Sequence, residues 1–253
     1  KNIFLKNTLR WISLDENFNK VFSETGNEVG VLAKKITTSL HAAVSRFARM
    51  APPLVVAVNG TVAGGGLSLV LVADMVLSAR SAKFTLAYTR AGLVPDGSST
   101  YFLPRLVGMR RAKELIFTNR ILNAEEALDW QLINQVLDDD LLQDEALKLA
   151  KSLADGPLVT HGIVKHLLAE TFTNHLESQM ESESRGLAQA LSGEEGQEGM
   201  RAFFGITSDC GIHQFICHLN IQGIGGFFTI ECDECHMFLC FEFNRFVGHL
   251  SLS

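Results

Sequence analysis

Val55-Val56-Ala57-Val58-Asn59-Gly60-Thr61-Val62-Ala63-Gly64-Gly65-Gly66-Leu67 is the stretch on which the fold turns. Leu54 to Val58 is a short β-branched run that reads as a buried strand, and Asn59-Gly60 breaks it. The glycine triplet then leads into a helix over Leu67 to Ala73. Backbone N–H groups in the first turn of a helix have no intrahelical acceptor, and the helix end carries partial positive charge. Glycine there allows unusual dihedrals and a close approach of a ligand to the backbone, so the strand-glycine-helix junction suits a developing negative charge. The glycines by themselves serve equally well for tight strand-helix packing. The spacing Gly60-x-x-x-Gly64-Gly65-Gly66 fits neither the dinucleotide fingerprint nor a phosphate loop ending in Gly-Lys-Ser/Thr.

Upstream of this stretch, Leu40, Val44, Phe47 and Ala48 recur at three and four residues, which predicts an amphipathic helix over Thr37 to Met50, stopped by Pro52 and Pro53. Downstream, Met75 to Ser78 and Phe84 to Ala87 read as strands, and Gly92 to Ser99 as a loop. Helical patterns follow at Thr100 to Leu106 and Arg110 to Thr118. Asn123, with Glu126 three residues on, has the form of a capping box. A strand over Leu132 to Leu137 precedes helices at Leu141 to Leu153, Leu158 to Thr171 and His175 to Leu191. Strands alternating with helices give an α/β class whose C-terminal half is helical.

The 253 residues hold one domain of substantial core with an appendage, and 47% apolar against 20% charged residues is a globular composition. A formal charge of −6 argues against a nucleic-acid partner. Neither a membrane span nor a signal-peptide pattern is present in the sequence, so the expectation is a soluble, intracellular protein. The compartment stays open between cytoplasm and the mitochondrial or peroxisomal matrix. All five cysteines lie beyond Gly205. There Cys232-x-x-Cys235-His236 has the spacing of a haem attachment, and with His213 and Cys217 that of a zinc site, but an end unrelated to the core explains it better. The expected boundaries are a divergent segment over 1–20, a core over 21–204 and an atypical tail over 205–253, with no metal.

Three side chains stand out in the core. Asp96, in Val94-Pro95-Asp96-Gly97-Ser98-Ser99, reads locally as a turn or cap aspartate, His41 as a core or interface histidine, and Ser68 as helix filler. No histidine lies between Ser68 and His161, which argues against a serine-protease triad.

The quoted stretch resembles the enoyl-CoA hydratase/isomerase (crotonase) superfamily. The resemblance continues through Ala73-Asp74, Phe84, Gly92 to Asp96, Leu103 to Gly108 and Glu125-Glu126-Ala127 to Glu198 to Phe203. It implies a crotonase-type ββα spiral with a helical C-terminal trimerisation region, incomplete at the N-terminus. It also implies homotrimers or dimers of trimers and acyl-CoA substrates, with coenzyme A entering as part of the substrate and no other cofactor. Gly65 is implied as an oxyanion donor, and Gly64, Gly66, Ser68, Tyr88 and His41 as substrate-binding. Ser68 and Tyr88 occupy the places of the two glutamates of hydratases. Asp96 matches the proton-transfer aspartate of dienoyl-CoA and phenylacetate-pathway ring isomerases, which implies isomerisation with Asp96 as shuttle. Two alternatives remain. One is a CoA-binding or assembly module without turnover, because the family's second oxyanion loop has no counterpart near Asn17 to Lys20. The other is an aryl-CoA dehalogenase, with Asp96 as nucleophile and His41 as base.

Overall fold

The computed structural model describes residues 29–204. The chain divides into two compact units between Gln179 and Met180. The expected boundaries near residues 20 and 205, and the cysteine-rich tail, lie outside the described residues.

Among the described residues, the first unit begins with helix α1 (Val29–Arg49), whose Leu40 and Val44 are buried. Strand β1 (Val55–Val58) follows, then β2 (Thr61–Ala63) and helix α2 (Gly65–Leu71). After β3 (Met75–Ala79) and β4 (Lys83–Thr85), a single 3-10 turn at Thr89–Ala91 precedes helix α3 (Ser99–Thr118). Strand β5 (Leu122–Asn123), helix α4 (Ala124–Asp129), β6 (Gln135–Leu137), α5 (Leu142–Ala154) and α6 (Leu158–Glu170) complete the unit. Helix α7 (Leu176–Ser192) runs across the division.

Two small sheets lie among the described residues of the first unit. In one, β3 is central and pairs in parallel with β1 (Val55 opposite Met75) and β6 (Leu77 opposite Gln135). In the other, β4 pairs in parallel with β2 and antiparallel with β5. Parallel partners need a crossover, and α2 with its flanking turns supplies it between β1 and β3. The apolar runs Val55 to Val58 and Val76 to Ala79 are buried nearly throughout, as strands covered on both faces must be. Phe84, Leu67, Leu77, Leu103, Leu115 and Leu122 are fully buried between the sheets and helices.

Helix α6 approaches the α1 to β1 turn so closely that a Cβ at Gly162 would lie 2.6 Å from Ala51 Cβ. It is pinned there by Lys165, whose ammonium donates to Phe47 O at 2.9 Å and to Asp74 Oδ2 at 2.6 Å. The same carboxylate oxygen accepts from Leu54 N at 2.7 Å, so one aspartate ties α6 to the start of β1.

In the second unit, α7 turns at Gly193 into helix α8 (Glu194–Phe204). Ala190 O stands only 2.0 Å from where a Cβ at Gly196 would be, so only glycine fits.

Several elements depart from the sequence expectation. Helix α1 begins at Val29 rather than Thr37, because Lys34, Lys35, Thr37 and Thr38 interrupt the apolar period at its start. Strand β2 is unexpected: its register with β4 supplies hydrogen bonds that three residues cannot make for themselves. Strand β4 stops at Thr85, and Ala87 beyond it turns left-handed (φ 55°). Gln131, also left-handed (φ 63°), keeps Leu132 and Ile133 out of β6 although both are buried. The two helices expected at 100–106 and 110–118 are both present within α3, separated by the non-helical Gly108 (φ 78°, ψ 158°). Helix α8 is an addition.

Candidate active site

The glycine triplet fixes the first wall of the site. Gly64 takes φ 53°, ψ −127°, a conformation that side-chain-bearing residues rarely adopt, and its N–H donates to Thr85 O at 3.2 Å. This turns the chain from β2 directly into α2, whose first amides, Gly65 among them, lack intrahelical acceptors by the geometry of any helix. Tyr88 faces the triplet. Its ring lies 3.8 Å from the position a Cβ would take at Gly64, and its hydroxyl 3.7 Å from that at Gly65.

The loop before α3 forms the opposite wall. Asp96 precedes two consecutive left-handed residues, Gly97 (φ 61°) and Ser98 (φ 69°). Its carboxylate Oδ1 lies 2.7 Å from His41 Nε2 of α1, with 54% of the His41 side chain and 27% of the Asp96 side chain exposed. The pair is therefore reachable from solvent. On the inner side, Ser68 Oγ donates to the Asp96 carbonyl oxygen at 2.7 Å and touches Ser99 Oγ at 2.8 Å, while Ser99 Oγ also donates to the same carbonyl. Both serines are fully buried.

Tyr88 joins the two walls electrically. Burial pushes its phenol above the ordinary range. A side-chain hydrogen bond with Ser68 lowers it, the nearby Asp96 carboxylate raises it, and a backbone hydrogen bond with Asp96 lowers it, leaving a net rise. The phenol therefore stays protonated across the neutral range and keeps a hydroxyl proton beside Gly65.

The structure thus brings together Gly64, Gly65, Ser68, Tyr88, Asp96 and His41, residues far apart in sequence. Gly66 is a buried residue in the first turn of α2, and a Cβ there would meet nothing within 4 Å outside its own helix. Ser68, expected to line the substrate site, is instead turned to the Asp96 carbonyl with no exposed surface. Ser99, Gly97 and Leu40 belong to the site without having been expected there. Leu40 Cδ2 lies 3.9 Å from the Gly65 Cβ position and 3.1 Å from that of Gly97. The spacing of Ser99, three residues after Asp96, was a signal for a local hydroxyl-to-carbonyl bond. Four left-handed residues, Gly64, Ala87, Gly97 and Ser98, cluster at this site, where strained backbone tends to concentrate. Among the described residues, no group of three or more His, Cys, Asp or Glu is placed to hold a metal ion, and no helix is long and apolar enough to cross a membrane.

Residues 20–206 match the family model described as enoyl-CoA hydratase/isomerase. The 1,2-epoxyphenylacetyl-CoA isomerase of Escherichia coli is 40% identical over 160 residues, 63% of this chain and 61% of that protein. The 4-chlorobenzoyl coenzyme A dehalogenase-1 of an Arthrobacter species is 38% identical over 143 residues, 56% of this chain and 52% of the relative. The chain thus spans between half and two thirds of the length of these relatives. The crystal structure of an enoyl-CoA hydratase/isomerase from Cupriavidus metallidurans CH34 superposes with a TM-score of 0.69 at 30% identity, covering 74% of this chain and 70% of that one. An enoyl-CoA hydratase from Polaromonas sp. JS666 gives 0.70 at 28% identity, covering 74% and 72%. The fold expectation holds, and the chain belongs to the enoyl-CoA hydratase/isomerase family.

Proposed function

We propose that this protein isomerises double bonds in acyl-CoA thioesters, with Asp96 carrying the proton and Gly65 N–H holding the enolate oxygen. The observation that carries the reading is a solvent-reachable Asp96 carboxylate joined to the Gly65 turn through Tyr88, in a site where Ser68 and Tyr88 leave no glutamate pair for water addition. Asp96 takes a proton from a carbon α or γ to the thioester. The C–H electron pair moves into the conjugated system and onto the carbonyl oxygen, and the proton returns at another carbon. No water is added and no redox partner is needed. A backbone donor aimed at the developing oxyanion contributes on the order of 3 kcal/mol to such a step. The neutral Tyr88 phenol is a further donor at the same place, and His41 orients the carboxylate through Oδ1. Coenzyme A enters as part of the substrate, and no metal or redox group takes part. Gly64 and Gly66 give the acyl group room against the backbone.

Homotrimers, or dimers of trimers, are the proposed assembly. The large apolar side chains exposed on and after α6, Leu168 and Phe172 among them, support a covered face.

The test follows double-bond migration in a dienoyl-CoA by absorbance and product analysis. Asp96→Asn is expected to lower kcat by about 1,000-fold while binding persists. Turnover that survives this substitution would sink the reading. The direct His41 to Asp96 contact favours one second reading, in which the carboxylate displaces chloride from an aryl-CoA and His41 activates the water that cleaves the resulting ester. Chloride release from 4-chlorobenzoyl-CoA separates the two.

A further inference from the structure

The Asp96 carbonyl accepts from two buried hydroxyls that the proton transfer itself does not use, Ser68 Oγ on α2 and Ser99 Oγ at the start of α3. Ser99 N also donates to this oxygen, at 3.3 Å, so three donor groups of Ser68 and Ser99 converge on it. Ser68 has a 3.3 Å alternative at Gly64 O and a 2.8 Å contact with Ser99 Oγ, and therefore keeps a partner if one bond is lost. Within the segment itself Ser99 N donates to Asp96 O at 3.3 Å and Ser98 Oγ donates to Gly97 O, against an unfavourable backbone. Gly97 and Ser98 are both left-handed, a costly sequence of dihedrals for which Ser98 has no glycine's freedom. The fit is also closed sterically. A Cβ at Gly97 would stand 2.8 Å from Ser68 Cβ and 3.2 Å from its Oγ, so the loop lies flush against the serine.

We infer that Ser68 and Ser99 are positioning residues: a paired-hydroxyl clamp that fixes the Asp96 main chain, and through it the carboxylate, relative to α2. Ser68 stands one helical turn after Gly65. The clamp therefore refers the proton-transfer group and the oxyanion donor to one seven-residue helix whose other side is locked in the core. Donor and base cannot drift apart while the clamp is closed. A serine in place of the glutamate of hydratases thus has a positive role here, in addition to removing a carboxylate. This inference rests on the reading of Asp96 as the proton-transfer group.

The test uses the full chain with Ser68→Ala, Ser99→Ala and the double substitution, and Asp96→Asn as reference. Three quantities are read: kcat and KM for dienoyl-CoA isomerisation, Tm, and the 15N shift of His41 Nε2, which reports its contact with Asp96. For the double substitution kcat is expected to fall by about 100-fold with KM within about threefold, the size of effect that misplacement by roughly 1 Å produces. The His41 resonance is expected to move toward its position in Asp96→Asn. An unchanged kcat and an unchanged His41 resonance would overturn the clamp, as would losses in kcat and KM of equal size with His41 unmoved. If the double variant fails to fold, the single Ser99→Ala variant decides by the same two readouts, since Ser68 still donates. Should the wild-type chain show no isomerisation, the proposed function fails, and the His41 resonance alone then decides whether the clamp exists.

Discussion

Gly97 shows how narrow the tolerance is around Asp96. Its φ of 61° disfavours any L side chain, and an added methyl would meet Ser68 Cβ at 2.8 Å and Leu40 Cδ2 at 3.1 Å. Gly97→Ala is therefore expected to lower stability by about 2 kcal/mol. On the proposed role of Asp96 it should also lower kcat, because the loop must lift away from α2 and carry the carboxylate with it. Thermal unfolding and steady-state kinetics on the same preparation check both effects. A change in Tm alone would mean that the loop relaxes without moving the carboxylate. The sequence made Asp96, His41, Ser68 and Tyr88 visible as residue types. Local reading assigned three of them to a cap, a core position and helix filler, because a hydrogen bond between residues 41 and 96 leaves no trace at either position. The family resemblance gathered them into one site. The direction of the Ser68 side chain emerged only with the fold.

Among the elements, the capping box was legible in full. Glu126 N–H donates to Asn123 Oδ1 at 2.8 Å, and Asn123 N–H donates to Glu126 Oε2 at 3.0 Å, so both ends of the Asn-x-x-Glu spacing are satisfied. The helix it opens, α4, has only six residues and buries Ala124 and Ala127, so the cap is a large part of what starts it. Asn123→Ala is expected to cost about 1 kcal/mol, read as a lowered midpoint in urea with unchanged slope. Strand β2 is the opposite case, since three residues with an exposed, intermediate, exposed pattern carry no period of their own. The kink at Gly108 lies between: the sequence showed two helical patterns, and the extended ψ of that glycine joins them without a loop.

At the scale of the molecule, acid stability follows from carboxylates paired on the surface. Glu126 titrates below the usual carboxylate range because the Asn123 backbone N–H and the Arg120 guanidinium favour its charged form. Asp139 does the same through the Ser81 hydroxyl and N–H. A carboxylate whose folded pKa is depressed binds protons more readily in the unfolded chain. The stabilisation is therefore present above the ordinary carboxylate range and is lost as pH falls through the lowered values. Urea midpoints measured from neutral pH downward are expected to decline below about pH 5. In Glu126→Gln with Asp139→Asn the midpoint should depend less steeply on pH. An identical slope in the variant would place the acid sensitivity elsewhere. What the sequence by itself determined was the class, the order of the principal elements and the family, because buried β-branched runs, helical periods, glycine turns and a contiguous motif are written in neighbouring residues. Only the tertiary structure decided that β2 is a strand, that Lys165 and Asp74 fasten α6 to β1, and that Ser68 faces the Asp96 carbonyl. Each depends on groups brought within about 3 Å by packing, and no local pattern along the chain encodes a contact between residues so far apart.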